Sequence, residues 1–436
     1  MNHAVAQLAS LAGPLTGLYV AGCALNVAAA VYVVRRNSRR ASAVGWLVAA
    51  GVFAVLAVMA WSGNPPEMPE GIKRACNAML GPMSLSLGTL AALTVLYLGR
   101  RWIVRPGVAW AGMNVALLWF GLSMTDVRFA TIATEPDHVA VLGMVALLAF
   151  FTWLGVYQAV QNDDRRERGE PPIEKDYDEK VFVWPDLVYV ELICMVLVTA
   201  GLLAWSLWLP APLQEPANPA VTPNPAKAPW YFLGLQEMLV FADAWYAGVV
   251  VPVLIILGLM AIPYLDPNPH GSGYYTIDQR PLAVKIFLLG FLWLWILPIL
   301  VGTFFRGPNW AFLGLYTTTE PPAPDLSTNI TLAEYFWTGL LGRAVPEVTG
   351  TGLVAMAQIV WREIAGLVVL GLYLFALPPL LGRTLLRTQR QQMCTGRWSV
   401  MVGLLLLMLS LPLKMMLRWA FDLNYVVSIP EWSLHF

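Results

Sequence analysis

Ten apolar stretches, each about the length of one membrane crossing, alternate along this chain with short polar segments. They cover about 12–34, 43–62, 79–98, 107–124, 139–160, 184–209, 247–265, 283–304, 357–380 and 399–419. Hydrocarbon about 30 Å thick needs roughly 17–25 helical residues to cross it. Only helices or closed barrels satisfy every backbone polar group there, and these runs lack the two-residue alternation of barrel strands. The pattern therefore predicts an all-α, polytopic integral membrane protein of about ten transmembrane helices.

Composition agrees: 58% of the 436 residues are hydrophobic and 12% charged, against about 25% charged in soluble domains. The first run has its positive charge behind it, at Arg35–Arg36. That is the reverse of a cleaved signal peptide, so it is expected to persist as a helix. With the N-terminus outside, the inner loops hold 18 of the 27 Lys and Arg residues. This is the positive-inside distribution, and it places both termini on the outer, positive side. Lys414 and Arg418, at the outer end of the last run, go against it. Such a pair either snorkels to the interface or meets an anionic partner.

The charged loop 161–183 divides the chain. Residues 1–162 form a five-helix block, 163–183 a cytoplasmic linker, 184–304 a three-helix domain, and 305–436 an outer segment followed by two more helices. A short helical piece is expected at 331–342. No phosphate-binding glycine loop, nucleophile elbow or nucleic-acid-binding basic patch is present. The four cysteines, Cys23, Cys76, Cys194 and Cys394, contain no CxxC or CxxCH. Conventional covalent c-haem attachment and a zinc or iron–sulfur framework have no ligands here, and no disulfide is expected.

Histidines restrict the chemistry further. A chain carrying two b-type haems across a bilayer needs four axial ligands, normally paired on facing helices. This one has only His3, His138, His270 and His435, scattered over termini, an inner loop and one span end. No metal site is expected. His138 is left with two readings, a ligand to one haem or quinone head group, or an interfacial hydrogen-bonder.

Residues 215–232 read EPANPAVTPNPAKAPWYF, five prolines in eighteen residues ending in two amphipathic aromatics. With WPDLVYVE (184–191), IPYLD (262–266), QRPLAVKIFLLGFLWLW (279–295) and GTF (302–304), they form an ordered set. Over about 181–305 the chain resembles the C-terminal domain of cytochrome b, the part that stands alone as subunit IV in bf complexes. The resemblance implies a haem-free, quinone-site subunit of a bc-type quinol:cytochrome c oxidoreductase, in the bacterial cytoplasmic membrane. Implied partners are a dihaem cytochrome b (b6-like) subunit, a Rieske 2Fe-2S protein and a cytochrome c, in a dimeric complex. The haems b, the cluster and haem c would sit on those partners, and menaquinone or ubiquinone would occupy a shared site. Physically, prolines hold extended backbone without needing donors satisfied. The strap can then roof a dry slot, with Pro229, Trp230, Tyr231 and Gln236 against quinone.

The family's Pro-Glu-Trp-Tyr reads Ala228-Pro229-Trp230-Tyr231 here, so its proton-accepting carboxylate is missing. Glu237, two helical turns past Trp230, is the candidate replacement, or else an interfacial or ion-paired carboxylate. Asp186 and Glu191 either pass protons to an inner quinone or complement a helix dipole. Two other functions fit ten spans: a quinone-binding anchor of another respiratory enzyme, or a secondary transporter. Matched broken helices in two halves, which a transporter would show, are absent from the pattern.

The histidine argument is directly testable. The purified chain is expected to lack a haem Soret band, and a stoichiometric haem on this polypeptide would overturn it.

Overall fold

A computed structural model of the protein describes residues 2–37, 40–177, 179–208, 216, 218–266, 268, 273–316 and 330–436. His270, Glu215 and Ala217 of the strap lie outside the described residues, as does the side chain of His3. Among the described residues the regular structure is helical apart from two very short strand pairs, Ile330–Thr331 with Leu423–Tyr425 and Ser428–Ile429 with Leu434–His435.

The front block contains α1 (Asn2–Asn37), α2 (Arg40–Trp61), α3 (Glu70–Met79), α4 (Pro82–Leu98), α5 (Arg100–Ile103), α6 (Pro106–Ser123), α7 (Val127–Thr134) and α8 (Pro136–Glu167). Then come α9 (Val183–Trp208), α10 (Trp230–Met238), α11 (Tyr246–Leu265), α12 (Pro281–Phe305), α13 (Gly352–Arg362), α14 (Ile364–Arg383) and α15 (Thr395–Phe421). Among the described residues, eight helices are long and apolar enough to cross a membrane, and ten spans result if the bent pairs α3–α4 and α6–α7 each count as one. The ten apolar runs thus correspond to these eight helices and two bent pairs.

The breaks have local causes. At 17 and 18 residues, α4 and α6 each extend only about 26 Å at 1.5 Å per residue, short of the hydrocarbon thickness. Gly81–Pro82 starts α4 afresh, and the chain turns by 82°. Asp126 caps α7 by accepting from the amides of Arg128 and Phe129, and there the turn is 110°. Lys73 of α3 reaches the buried Asp126 at 2.9 Å, tying the two bends together. The ninth run also breaks. Glu363, 2% exposed, ends α13 and accepts from the Ser428 amide at 3.0 Å, so that span starts at Ile364, not 357. Between these helices, residues 332–340 are helical as the sequence suggests, with Thr331 and Glu334 forming a capping box.

Inside the front block, α1 lies along α2, and a buried amide pair joins α1 to α6. Asn114 Nδ2 donates to Asn26 Oδ1 at 3.1 Å, and the Trp110 indole donates to the same oxygen at 3.1 Å. Between apolar helices in lipid, such interhelical hydrogen bonds supply attraction that hydrophobic burial does not.

The front block is not a detached unit. At one end Tyr316, following α12, enters it. Its hydroxyl meets Ser123 Oγ at 2.8 Å and its ring stacks on Phe129 at 5.8 Å. Burial pushes that hydroxyl's pKa up to about 12, so it stays neutral. In the middle, Trp293 of α12 donates to the Ser86 carbonyl of α4 at 2.8 Å. At the other end Asp163 of α8, 4% exposed, takes Thr276 Oγ1 at 2.5 Å and the amides of Ile277 and Asp278 at 3.1 and 3.2 Å. The Tyr316 end is labelled the outer end below, after the orientation expected from the charge distribution.

Asp163 should therefore organise the inner loop. Hydrogen bonds to a charged group contribute about 1.5–3 kcal/mol each. Asp163→Ala is expected to destabilise the protein by about 3 kcal/mol and to speed amide exchange at residues 276–278. Unchanged exchange there would show that the loop is held otherwise.

Candidate functional site

The strap is stiffened by side chains as much as by prolines. Asn218 starts a turn, accepting from the Ala220 amide at 3.0 Å. Asn224 exchanges hydrogen bonds with Asn309: its Nδ2 donates to the Asn309 side chain at 2.9 Å, and its Oδ1 accepts the Asn309 amide at 2.6 Å. Lys227 donates to the Thr303 carbonyl at 2.8 Å, at the outer end of α12. Burial lowers the Lys227 ammonium from its ordinary pKa, and Glu135 and Asp137 of the front block push it back up. Gln236 reaches back from α10, accepting from the Ala228 amide at 2.7 Å and donating to the Ala226 carbonyl at 2.8 Å. Both ends of its amide thus brace the strap, an occupation the sequence did not foretell.

Pro229 leads into α10, whose inner face carries Leu233, Gly234, Glu237 and Met238. The helix is pressed closely onto α12. A Cβ on Gly234 would come within 3.1 Å of Ile299, and one on Gly302 within 2.7 Å of Leu233. Side chains at either position would force the helices apart.

That packing brings Glu237 to the end of α12. Only 4% exposed, it is gripped by the Arg306 guanidinium, Nε donating to Oε2 at 2.9 Å and Nη2 to Oε1. The Trp310 indole adds a third donor at 3.0 Å. Arg306 also donates to the Trp310 carbonyl at 2.7 Å, and its cation sits 5.7 Å from the Phe312 ring centroid. The turn delivering Trp310 is strained: Asn309 and Trp310 both have left-handed backbone, φ 56° and 59°. Each such residue costs roughly 1–3 kcal/mol, so the clamp and the Asn224 pair offset real strain. Burial raises the Glu237 carboxyl above its ordinary pKa, while Arg306 and Trp310 pull it down. Neither Arg306 nor Trp310 was singled out from sequence. The available signal was an arginine at the outer end of a span, against the positive-inside rule.

The predicted site residues do not converge. Trp230 and Tyr231 meet edge to face at 5.7 Å, with Phe232 beside Tyr231 at 4.7 Å. These rings are exposed, 40% for Trp230 and 49% for Tyr231, whereas Glu237 points into the protein. Next to Glu237 lies a cavity of about 30 Å³, walled by Arg306, Phe241, Trp293, Leu411 and Met415. That is room for about one water molecule and none for an aromatic ring. A larger open hollow of about 420 Å³, lined by Met356, Ile359 and Trp432 among others, shares no residue with the strap.

Asp186 and Glu191 lie on α9, and both are exposed. No residue in the central window of α9 is buried, so the rest of this chain does not enclose an inner site around them. Asp186 accepts from the Phe182 amide at 3.4 Å.

His138, 5% exposed, has Nδ1 2.7 Å from the Ile132 carbonyl and its ring against Phe304 at 5.4 Å. This is a hydrogen-bonding arrangement, with the ring nitrogen paired to backbone. With Glu135 and Asp137 its ligand atoms lie within 4.8 Å of one another, close enough to hold a cation. The Lys227 ammonium nearby opposes one. His435 Nδ1 pairs with Ser428 Oγ at 2.9 Å. All four cysteines are free.

Residues 216–319 match the family model described as cytochrome b(C-terminal)/b6/petD. The matched segment contains the strap from Pro216, then α10, α11, α12, and the Arg306–Trp310 turn. It indicates a cytochrome b C-terminal/b6/petD-like segment within a multi-pass membrane protein. No solved structure matches the chain.

The clamp can be tested by a double-mutant cycle. Removing one partner of a buried ion pair costs about 3–5 kcal/mol, while replacing both by apolar groups is often neutral. Glu237→Leu and Arg306→Met should each lower thermal stability by that order, and the Glu237→Leu/Arg306→Met pair should recover most of it. Additive losses would mean the two residues act separately.

Proposed function

We propose that this chain is a haem-free subunit of a bc-type quinol:cytochrome c oxidoreductase that supplies one wall of the outer quinol-oxidation site. The carrying observation is that the family-matched strap ends in exposed rings, Trp230 and Tyr231, braced from behind with nothing of this chain facing them among the described residues. A rigid aromatic wall lacking its opposite wall is half of a shared slot. Large exposed apolar surfaces mark interaction sites, and α9, exposed along its length, adds a second contact surface for a membrane partner.

On this reading the dihaem cytochrome b subunit provides the other wall and the low-potential haem, and a Rieske protein takes the first electron. Bound between the walls, quinol, whether menaquinol or ubiquinol, supplies the electrons. The residues here orient it and exclude water. Pro229 and Gln236 keep the strap from sagging into the slot, and Trp230 and Tyr231 pack against the ring. Glu237 works through Arg306 as a positioning residue. To take a quinol proton itself, it would have to exchange Arg306 for the substrate; its raised pKa favours that exchange, but the bidentate clamp opposes it. Asp186 and Glu191 retain the inner-side role only if a partner encloses them.

Purification of the complex from its native bacterial membrane, tagged on this chain, tests the reading. Expected are a dihaem cytochrome b, a Rieske protein and a cytochrome c, with quinol-dependent cytochrome c reduction. Recovery without any dihaem cytochrome would overturn it and favour the anchor of another respiratory enzyme. Within an assembled complex, Tyr231→Ala should raise the quinol KM roughly tenfold, the loss of about one aromatic contact. An unchanged KM would remove the ring from the site.

A further inference from the structure

Two cations stand at the outer end of the last span. Lys414 and Arg418 lie one turn apart on α15, and both are partly buried. The Lys414 ammonium faces the Tyr425 ring, 5.4 Å from its centroid. No carboxylate of a described residue lies within ion-pair distance of it. The charged groups near enough to act on it are Asp243 and Arg418. Arg418 donates to Asn424 Oδ1 at 2.7 Å. Above the start of α11, the Trp245 indole N–H is buried without an acceptor among the described residues, its ring against Phe436 at 5.0 Å. Tyr246 and Ser410 join α11 to α15 at 2.8 Å, one turn from Lys414. A shielded ammonium without a counter-ion is costly, and here a second cation and an unused donor accompany it.

The flanks of this corner are apolar. Val249 and Val253 of α11, and Leu413 and Met416 of α15, are exposed. We propose that the corner between α11, α15 and the 423–436 tail binds one anionic phospholipid, its phosphodiester on Lys414 and its acyl chains along those side chains. Arg418, one turn along α15, and Trp245, against Phe436 of the tail, belong to the same corner. The Asp243 charge acting on Lys414 favours a singly charged phosphodiester over a doubly charged phosphomonoester. Free phosphate shares that chemistry but has no use for the apolar flanks. The inference does not depend on quinol oxidation.

The test is lipid retention by the full chain, taken from vesicles of phosphatidylcholine doped with phosphatidylglycerol and read by native mass spectrometry. Wild type should keep phosphatidylglycerol in preference to phosphatidylcholine. One basic residue contributes about fivefold at a membrane surface, so Lys414→Met should lower the preference by about that factor. Lys414→Arg should preserve it, which separates loss of charge from loss of fold. Asp243→Asn should shift preference towards doubly charged phosphatidic acid. Retention of phosphatidylglycerol by Lys414→Met at the wild-type level would overturn the site. Equal retention of phosphatidylcholine, or displacement of the lipid by inorganic phosphate, would overturn the phospholipid assignment.

Discussion

The Glu237–Arg306 pair closes a place where five pieces of chain meet. In the low dielectric of a buried site, a carboxylate survives only if its lone pairs are used and its charge is matched. Arg306 does both, and Trp310 adds the third donor. To reach Glu237, α10 must lie flat on α12, which Gly234 and Gly302 permit. For Trp310 to reach it, the turn after α12 must adopt left-handed backbone at two non-glycine residues. The strap is then tied to that same turn through Asn224 and Asn309. Without the ion pair, the strained turn loses the contacts that offset its strain, and the strap loses its floor.

The front block explains why this corner is rigid within one chain. Its two bent pairs, α3–α4 and α6–α7, turn by 82° and 110° and are tied together by Lys73 and Asp126. Tyr316 packs onto Ser123 and Phe129 beside them, while Asp163 holds the 276–278 loop. The third helix of the family-matched segment is therefore held at top, middle and bottom by helices outside the match. A block with no recognisable motif acts as scaffold for the segment that has one.

What the chain leaves uncovered is as informative as what it buries. Glu237, Gln236 and Lys227 are spent on internal bonds, yet Trp230, Tyr231 and the whole of α9 face outward. On the proposed reading, the chemistry belongs to an interface. This chain contributes stiffness and aromatic surface, and partners contribute the redox centres. The missing motif glutamate at Pro229 fits a subunit whose main task is to hold the strap in place.

Lipid solvent made the gross architecture legible in the residues alone. A span needs some twenty apolar residues, so the number of spanning helices and the loops between them follow from the runs. The strap was readable because prolines and aromatics act locally. Side-chain partners were not readable. Glu237 stands 69 positions before Arg306, and no local pattern says that α10 will press onto α12. The same holds for Gln236, whose amide suits a quinone as well as it suits the backbone it braces. The bends in α3–α4 and α6–α7 have local signals in Gly81–Pro82 and the Asp126 cap, whereas the Lys73–Asp126 bridge that ties them together was decided in three dimensions. Apolar length is a property of sequence; which polar groups meet once the water is gone is a property of packing.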